Sequence, residues 1–186
     1  MTTKAELGRL AAAVRAETGC GPDDPFDPWA WSEENGIPFL SLNDLSVDPA
    51  AKRHFTVTRP GVWSAALART GMQFVVIYNS AHSPERTRSN LAHEVAHFAA
   101  EHELSAAWMD EKGSCGSSSK SDEKDAAELA AALLIPPEAA RSHAFTGGSP
   151  STLAARYRVS ERMALWRMEV SGGRKIAQRH RAKQPR

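Results

Sequence analysis

Residues 88–102 read RSNLAHEVAHFAAEH, and within them His93, Glu94 and His97 stand in a His-Glu-x-x-His spacing. Residues four apart on a helix share one face, about one turn apart, so imidazoles at 93 and 97 can point at the same cation. Glu94 lies about 100° around from His93, which aims its carboxylate at a water beside such a cation rather than at the cation itself. Two neutral imidazoles suit zinc, and a catalytic zinc keeps one position open for water. The spacing is that of a metallopeptidase motif, with His93 and His97 as ligands and Glu94 as base. Its surroundings argue against an accidental match. From Leu91 to Ala100 the stretch is apolar nearly all round apart from these three residues, and buried ionisable groups cost free energy unless they are paired or coordinated.

Such a site needs a third protein ligand. His102 lies five residues beyond His97, about 140° around an uninterrupted helix, which keeps it from the same ion. The next acidic residues are Asp122, Glu123, Asp125 and Glu128, at the start of the following helix. From Glu123 one face continues through Ala126, Ala127 and Ala130, and small side chains there let two helices lie close enough for one ion to bridge them. Glu123 is the preferred third ligand and Asp125 the reserve; the alternative use of Glu123 is a first-turn carboxylate that complements the helix dipole. An oxyanion stabiliser is expected too. Tyr78, His102, His143 and Tyr157 are candidates by type, and the sequence does not choose among them.

Several elements must position these groups. HSPERTRSN opens the motif helix, with Ser83 as N-cap, Pro84 in the first helical position and Glu85 in the first turn. Upstream, VWSAALARTGMQFVVIYNS predicts two strands joined at Arg69-Thr70-Gly71, and IPFLSL a third. Leu7, Leu10, Ala11 and Val14 give residues 4–18 a helical stripe, and DPWAWSEENG predicts a short helix from N-cap Asp27 to Gly36. Residues 44–60 read as loop. Downstream, SAAWMDEKGSCGSSSKSD (105–122) is a polar connection expected either to shape the cleft or to hold the enzyme inactive until a signal arrives, and EKDAAELAAALLIPP is an alanine-rich helix stopped by Pro136-Pro137. A further helix starts near Pro137, and two more flank Arg158-Val159-Ser160.

Composition narrows the class. With 41% apolar and 24% charged residues in 186, the chain suits one globular core. No apolar run approaches the roughly 20 residues needed to span a bilayer, and the N-terminus lacks the block structure of a signal peptide, so a cytoplasmic protein with no membrane partner is expected. Cys20 and Cys115 lie in glycine-rich segments outside any ligand-spaced pattern and support no disulfide framework. The formal charge of +1 is uneven: residues 172–186 carry six Lys or Arg and no acid, leaving 17 basic against 22 acidic residues elsewhere. Residues 173–186 are therefore expected to be a basic, flexible tail. Nucleic-acid contact through it is a lesser reading.

Taken together in order, these segments resemble the ImmA/IrrE family of zinc metallopeptidases. FVVIYN, ending at Asn79, is similar to the strand before the family's active-site helix, and RTRSNLAHEVAHFAAEH to that helix itself. EKDAAELAAALLIP resembles the family's Glu-x-x-Ala helix ending in Leu-Leu-x-Pro, and LAARYRVSERMALWRM the Val-Ser segment that closes many members. DPWAWSEENGIPFLSLNDL fits the domain entry more loosely. The likeness covers about residues 25–172, with Ala127 and Leu129 standing where members often have Asn and Phe. It implies an α+β, zincin-like metallopeptidase domain: a small antiparallel sheet on a buried motif helix, then C-terminal helices. The expected domain spans 1–172, with an N-terminal helix over about 1–24 and helix-turn-helix-like helices over about 150–172. The resemblance implies one zinc per chain, His93, His97 and Glu123 as ligands, and Glu94 as base. It further implies cleavage of a helix-turn-helix repressor, releasing phage, mobile-element or stress-response genes.

Two rival functions arise from the residues. TLAARYRVSERMALWRM has helix-turn-helix spacing with a basic segment after it, which would suit a DNA-binding regulator. Leu153, Tyr157, Val159, Met163 and Trp166 serve equally as a two-helix cap on the core, and that packing is the favoured reading. A catalytically silent metal-binding partner is the second rival, and Glu94 argues against it, since a structural site has no use for a base beside the metal.

Overall fold

In the computed structural model, which describes residues 2–102, 108–109, 115–116 and 119–182, the chain begins with α1 (Lys4–Glu17). A reciprocal pair between Thr3 and Glu6 caps it. Helix α2 (Pro28–Asn35) has Asp27 as N-cap and ends at Gly36, whose φ of 62° is the left-handed stop that glycine supplies. Strand β1 (Phe39–Ser41) follows. Residues 44–60 are more helical than expected: they contain α3 (Pro49–Arg53) and a π-helical turn, His54–Thr58.

Strands β2 (Ala65–Thr70) and β3 (Gln73–Tyr78) form a hairpin turning at Gly71, φ 63°. The sheet order is β1-β3-β2. It is mixed, not purely antiparallel: β1 runs parallel to β3, with Phe39 opposite Val76. The two-residue connection between β2 and β3 permits only the antiparallel arrangement, whereas the long path from β1 to β3 permits a parallel one.

Beneath the sheet runs α4 (Pro84–Ala99), whose Leu91, Ala92, Val95 and Ala96 are wholly buried. Leu67 of β2 and Val76 of β3, paired across the hairpin, are buried in the same core. Helix α5 (Lys120–Leu134) packs along α4 and α1. Of its small residues Ala126 and Ala130 are buried, which allows the close approach; Ala127 is exposed. Trp31, Phe98 and Phe74 form an edge-to-face chain from α2 through α4 to the sheet, with centroids 5.6 and 5.3 Å apart. The connection 105–122 lies mostly outside the described residues, as does the side chain of Cys115. Within it Trp108–Met109 (β4) pairs antiparallel with Cys115–Gly116 (β5).

Helices α6 (Pro137–Phe145), α7 (Pro150–Tyr157) and α8 (Glu161–Val170) complete the core. Between α7 and α8 the chain turns at Arg158, φ 53°, and restarts at N-cap Ser160. Leu153, Tyr157 and Val159 of this pair are buried and Met163 is partly buried against the core, as the cap reading expects, but Trp166 is exposed. The basic segment also differs from a flexible tail. Residues Gly173–Ala182 form α9, seated on α6 through buried Gly173 and Ala177; the glycine lets the backbones meet, since a Cβ there would lie 2.4 Å from the Arg141 carbonyl oxygen. Among the described residues no helix is long and apolar enough to cross a membrane.

A buried cation ties the first helix to this core. Arg15 is 3% exposed, and its guanidinium donates to the carbonyls of Leu133 (2.5 Å), Gly21 (2.5 Å) and Asp24 (2.6 Å). Arg15→Met keeps the aliphatic bulk and strands the buried Leu133 carbonyl, while those of part-buried Gly21 and exposed Asp24 can turn to water. One unsatisfied buried acceptor costs about 1–3 kcal/mol, so a loss on the order of 2 kcal/mol is expected in urea unfolding. A loss below about 1 kcal/mol would show that water replaces the guanidinium without cost.

Candidate active site

Helix α4 starts where its sequence says it should: the Ser83 hydroxyl accepts from the Arg86 amide at 3.4 Å, with Pro84 following. From that start the helical repeat carries His93, Glu94 and His97 to the place where α4 meets α5 and β2. His93 Nε2 and His97 Nε2 are 3.1 Å apart. Glu123, in the first turn of α5, places Oε2 3.3 Å from His93 Nε2 and Oε1 3.4 Å from His97 Nε2. One ligand atom from each residue lies within 4.8 Å of the other two.

The neighbouring acids have other duties. Asp122 closes the N-terminal capping box of α5 with Ser119. Glu128 binds buried Arg167 at 2.7 Å and Lys4 at 3.2 Å. Asp125 is half-buried and lines a groove with Leu10 and His102, outside the His/His/Glu cluster.

Glu94 stands next to the cluster, and its Oε2 accepts the backbone N–H of Leu67 at 2.9 Å. Burial pushes its carboxyl up to about 7; the Leu67 hydrogen bond opposes the rise and the nearby Glu123 charge reinforces it. The imidazoles shift the other way. Burial lowers His93 against the attraction of Glu123, and burial together with the charge of His93 lowers His97 to about 4. Both rings are thus neutral near pH 7, the form in which a ring nitrogen can donate its lone pair to a metal.

The other candidates have distinct surroundings. His102 places Nδ1 3.1 Å from His97 Nδ1, on the side of that ring away from the cluster. Tyr78 ends β3, half-buried opposite Ala65. His143 Nε2 lies 2.9 Å from the Ser149 carbonyl and 3.0 Å from the Thr152 hydroxyl, closing the α6–α7 turn. Tyr157 is wholly buried, which raises its phenol above the usual value.

Two groups near the site escape sequence reasoning. The Leu67 amide is backbone, and no side-chain pattern signals it. Asn79 is fully buried, and its Nδ2 donates to the carbonyls of Phe55 (2.7 Å), Pro60 (3.2 Å) and Trp63 (3.2 Å). It thereby holds the 55–63 segment against the end of β3. A polar residue closing the apolar run FVVIY was the available signal.

The family model for the IrrE N-terminal-like domain (Peptidase_M78) matches residues 41–169, more than half of the chain. The chain belongs to this family. Among curated proteins none matches it in sequence. As an ImmA/IrrE-family metallopeptidase it carries a His/His/Glu cluster of the HExxH type, in which three donors can coordinate a divalent metal. The matched residues run from the last residue of β1 into α8, so they include the β2–β3 hairpin, the two helices that carry the cluster and the helix-turn-helix-like pair.

Proposed function

We propose that this protein is a zinc-dependent endopeptidase acting in the cytoplasm on a regulatory protein, a helix-turn-helix repressor. One observation carries the zinc reading: His93 Nε2 and His97 Nε2 lie 3.1 Å apart, and the two oxygens of the Glu123 carboxylate reach them, Oε2 at 3.3 Å from His93 and Oε1 at 3.4 Å from His97. Zinc–ligand bonds of about 2.0–2.2 Å in a tetrahedron put neighbouring donors about 3.2–3.6 Å apart. Three protein donors would leave an ion that prefers four ligands one position for water or substrate. The repressor substrate rests on the resemblance to the ImmA/IrrE family alone.

His93, His97 and Glu123 would hold the ion. When bound, it supplies Lewis-acid chemistry, acidifying water and polarising the carbonyl oxygen of the scissile bond. Glu94 takes the proton from the attacking water and passes it to the leaving amine. The Leu67 N–H fixes the Glu94 carboxyl in place for both transfers. That contact also orients β2, the outer strand of its sheet. With the Leu67 N–H turned away from β3, the alternation of an antiparallel ladder turns the backbone groups of Ala65 and Arg69 outward as well. An extended peptide can pair with this edge.

The regulator reading has less support. The exposed positions of α8 include Glu161, Leu165, Trp166, Glu169 and Val170, with Arg162 the cation among them. This mixture is poorly suited to a phosphate backbone or base edges. The test is to compare new protein N-termini in host cells expressing the wild type or Glu94→Gln. A cut found only with the wild type identifies the substrate. No Glu94-dependent cut, under conditions that induce the repressed genes, would overturn the endopeptidase reading.

A further inference from the structure

Helix α4 does not simply continue past His97. Its C-cap is Ala100, and Glu101 adopts φ 53°, a left-handed conformation usually left to glycine. The Glu101 amide donates to Phe98 O at 3.0 Å and the His102 amide to His97 O at 3.1 Å. These are the two reversed hydrogen bonds of a Schellman motif, which brings the residue after the left-handed one back against the last turn of the helix. That contact is commonly hydrophobic. Here it joins two imidazoles, with Nδ1 of His102 3.1 Å from Nδ1 of His97 and ring planes at 72°.

A neutral imidazole carries one N–H. If Nε2 of His97 is to offer a lone pair to an ion, its proton must sit on Nδ1 and needs an acceptor there. Metal-binding histidines usually find that acceptor in a carboxylate or a backbone carbonyl. We propose that His102 is a positioning residue: its Nδ1 accepts the Nδ1–H of His97, which holds His97 in the tautomer that presents Nε2 to His93 and Glu123. The proton of His102 then resides on its own Nε2. The left-handed conformation at Glu101, costly for a residue with a side chain, is what delivers His102 to this position. The inference rests on the zinc reading of the cluster, and its test separates the two.

Metal-free full-length protein is titrated with zinc against a chromophoric chelator, for the wild type, His102→Ala and His102→Asn. Loss of an outer-shell partner weakens metal affinity by about 10–100-fold, the result expected for His102→Ala. In His102→Asn the amide oxygen stands the same number of bonds from Cα as Nδ1 and can accept in its place, so affinity should return to within a few-fold of wild type. Long-range nitrogen–proton NMR of the metal-free proteins reads the tautomer directly: Nδ1–H for His97 in the wild type and His102→Asn, and a mixture in His102→Ala. Wild-type affinity in His102→Ala, equal weakening in both variants, or Nε2–H at His97 in the wild type would each overturn the role of His102. Failure of the wild type to bind zinc would instead sink the zinc reading, while the tautomer still decides the matter for His102.

Discussion

A purified Glu94→Gln variant is expected to bind zinc to the same stoichiometry as the wild type, one ion per chain on the proposed reading, and to cleave its substrate about 10²–10⁴-fold more slowly, the range that one positioned proton carrier contributes. The two halves of this expectation have separate structural causes. Glu94 lies outside the donor triangle of His93, His97 and Glu123, so its replacement leaves the ligand set whole. The glutamine oxygen can still accept the Leu67 amide, now 2.9 Å from Glu94 Oε2, so the side chain keeps its place. An amide cannot take up a proton at neutral pH, and the carboxyl it replaces is raised to about 7 mainly by burial, close to where a base best accepts and releases one. Metal content by mass spectrometry and turnover of the identified substrate check the two halves. Full activity would remove Glu94 from the mechanism, and loss of metal would make it a ligand.

Glu123→Ala should do the opposite: zinc falls from about one ion per chain to a small fraction after gel filtration, and activity falls with it. The donor removed sits 3.3 and 3.4 Å from the two imidazoles and is the only carboxylate in the cluster among the described residues. A pair of imidazoles on one helix is a weak site for an ion that prefers four ligands. Asp125→Ala, two residues along α5 and outside the cluster, should keep its zinc. Retention of zinc by Glu123→Ala together with its loss from Asp125→Ala would exchange the two assignments. Because Asp122 closes the capping box of α5, Asp122→Ala is expected to loosen the start of that helix and serves as the control for indirect loss.

Much of the site was legible because its geometry is local. The spacing of His93 and His97 fixes their common face through the helical repeat alone, and Ser83-Pro84 marks where that repeat begins. Glu123 could be singled out because Ala126 and Ala130, on its face of the next helix, are too small to hold α5 away from α4. The domain family followed from the order of such segments, and the match across residues 41–169 agrees with it.

What the sequence could not show lies where the chain leaves its periodicity or meets a distant segment. Extending the helix on paper put His102 far around from His97; the left-handed turn at Glu101 folds it back into contact. The parallel pairing of β1 with β3 depends on how a long connection crosses the sheet, not on the strand residues themselves. Helix α9 forms because a basic segment with weak apolar character finds a seat for Gly173 and Ala177 on α6. The Leu67 amide reaches Glu94 across 27 residues of sequence. Side-chain type and spacing therefore determined the helix that carries His93, Glu94 and His97 and pointed to them and Glu123 as candidate ligands and base, since the face of a helix depends on bonds within one or two turns. The hydrogen-bond partners that orient Glu94 and His97 were decided only by the tertiary structure, because a backbone amide or a turned chain end has no side-chain signature until the elements pack.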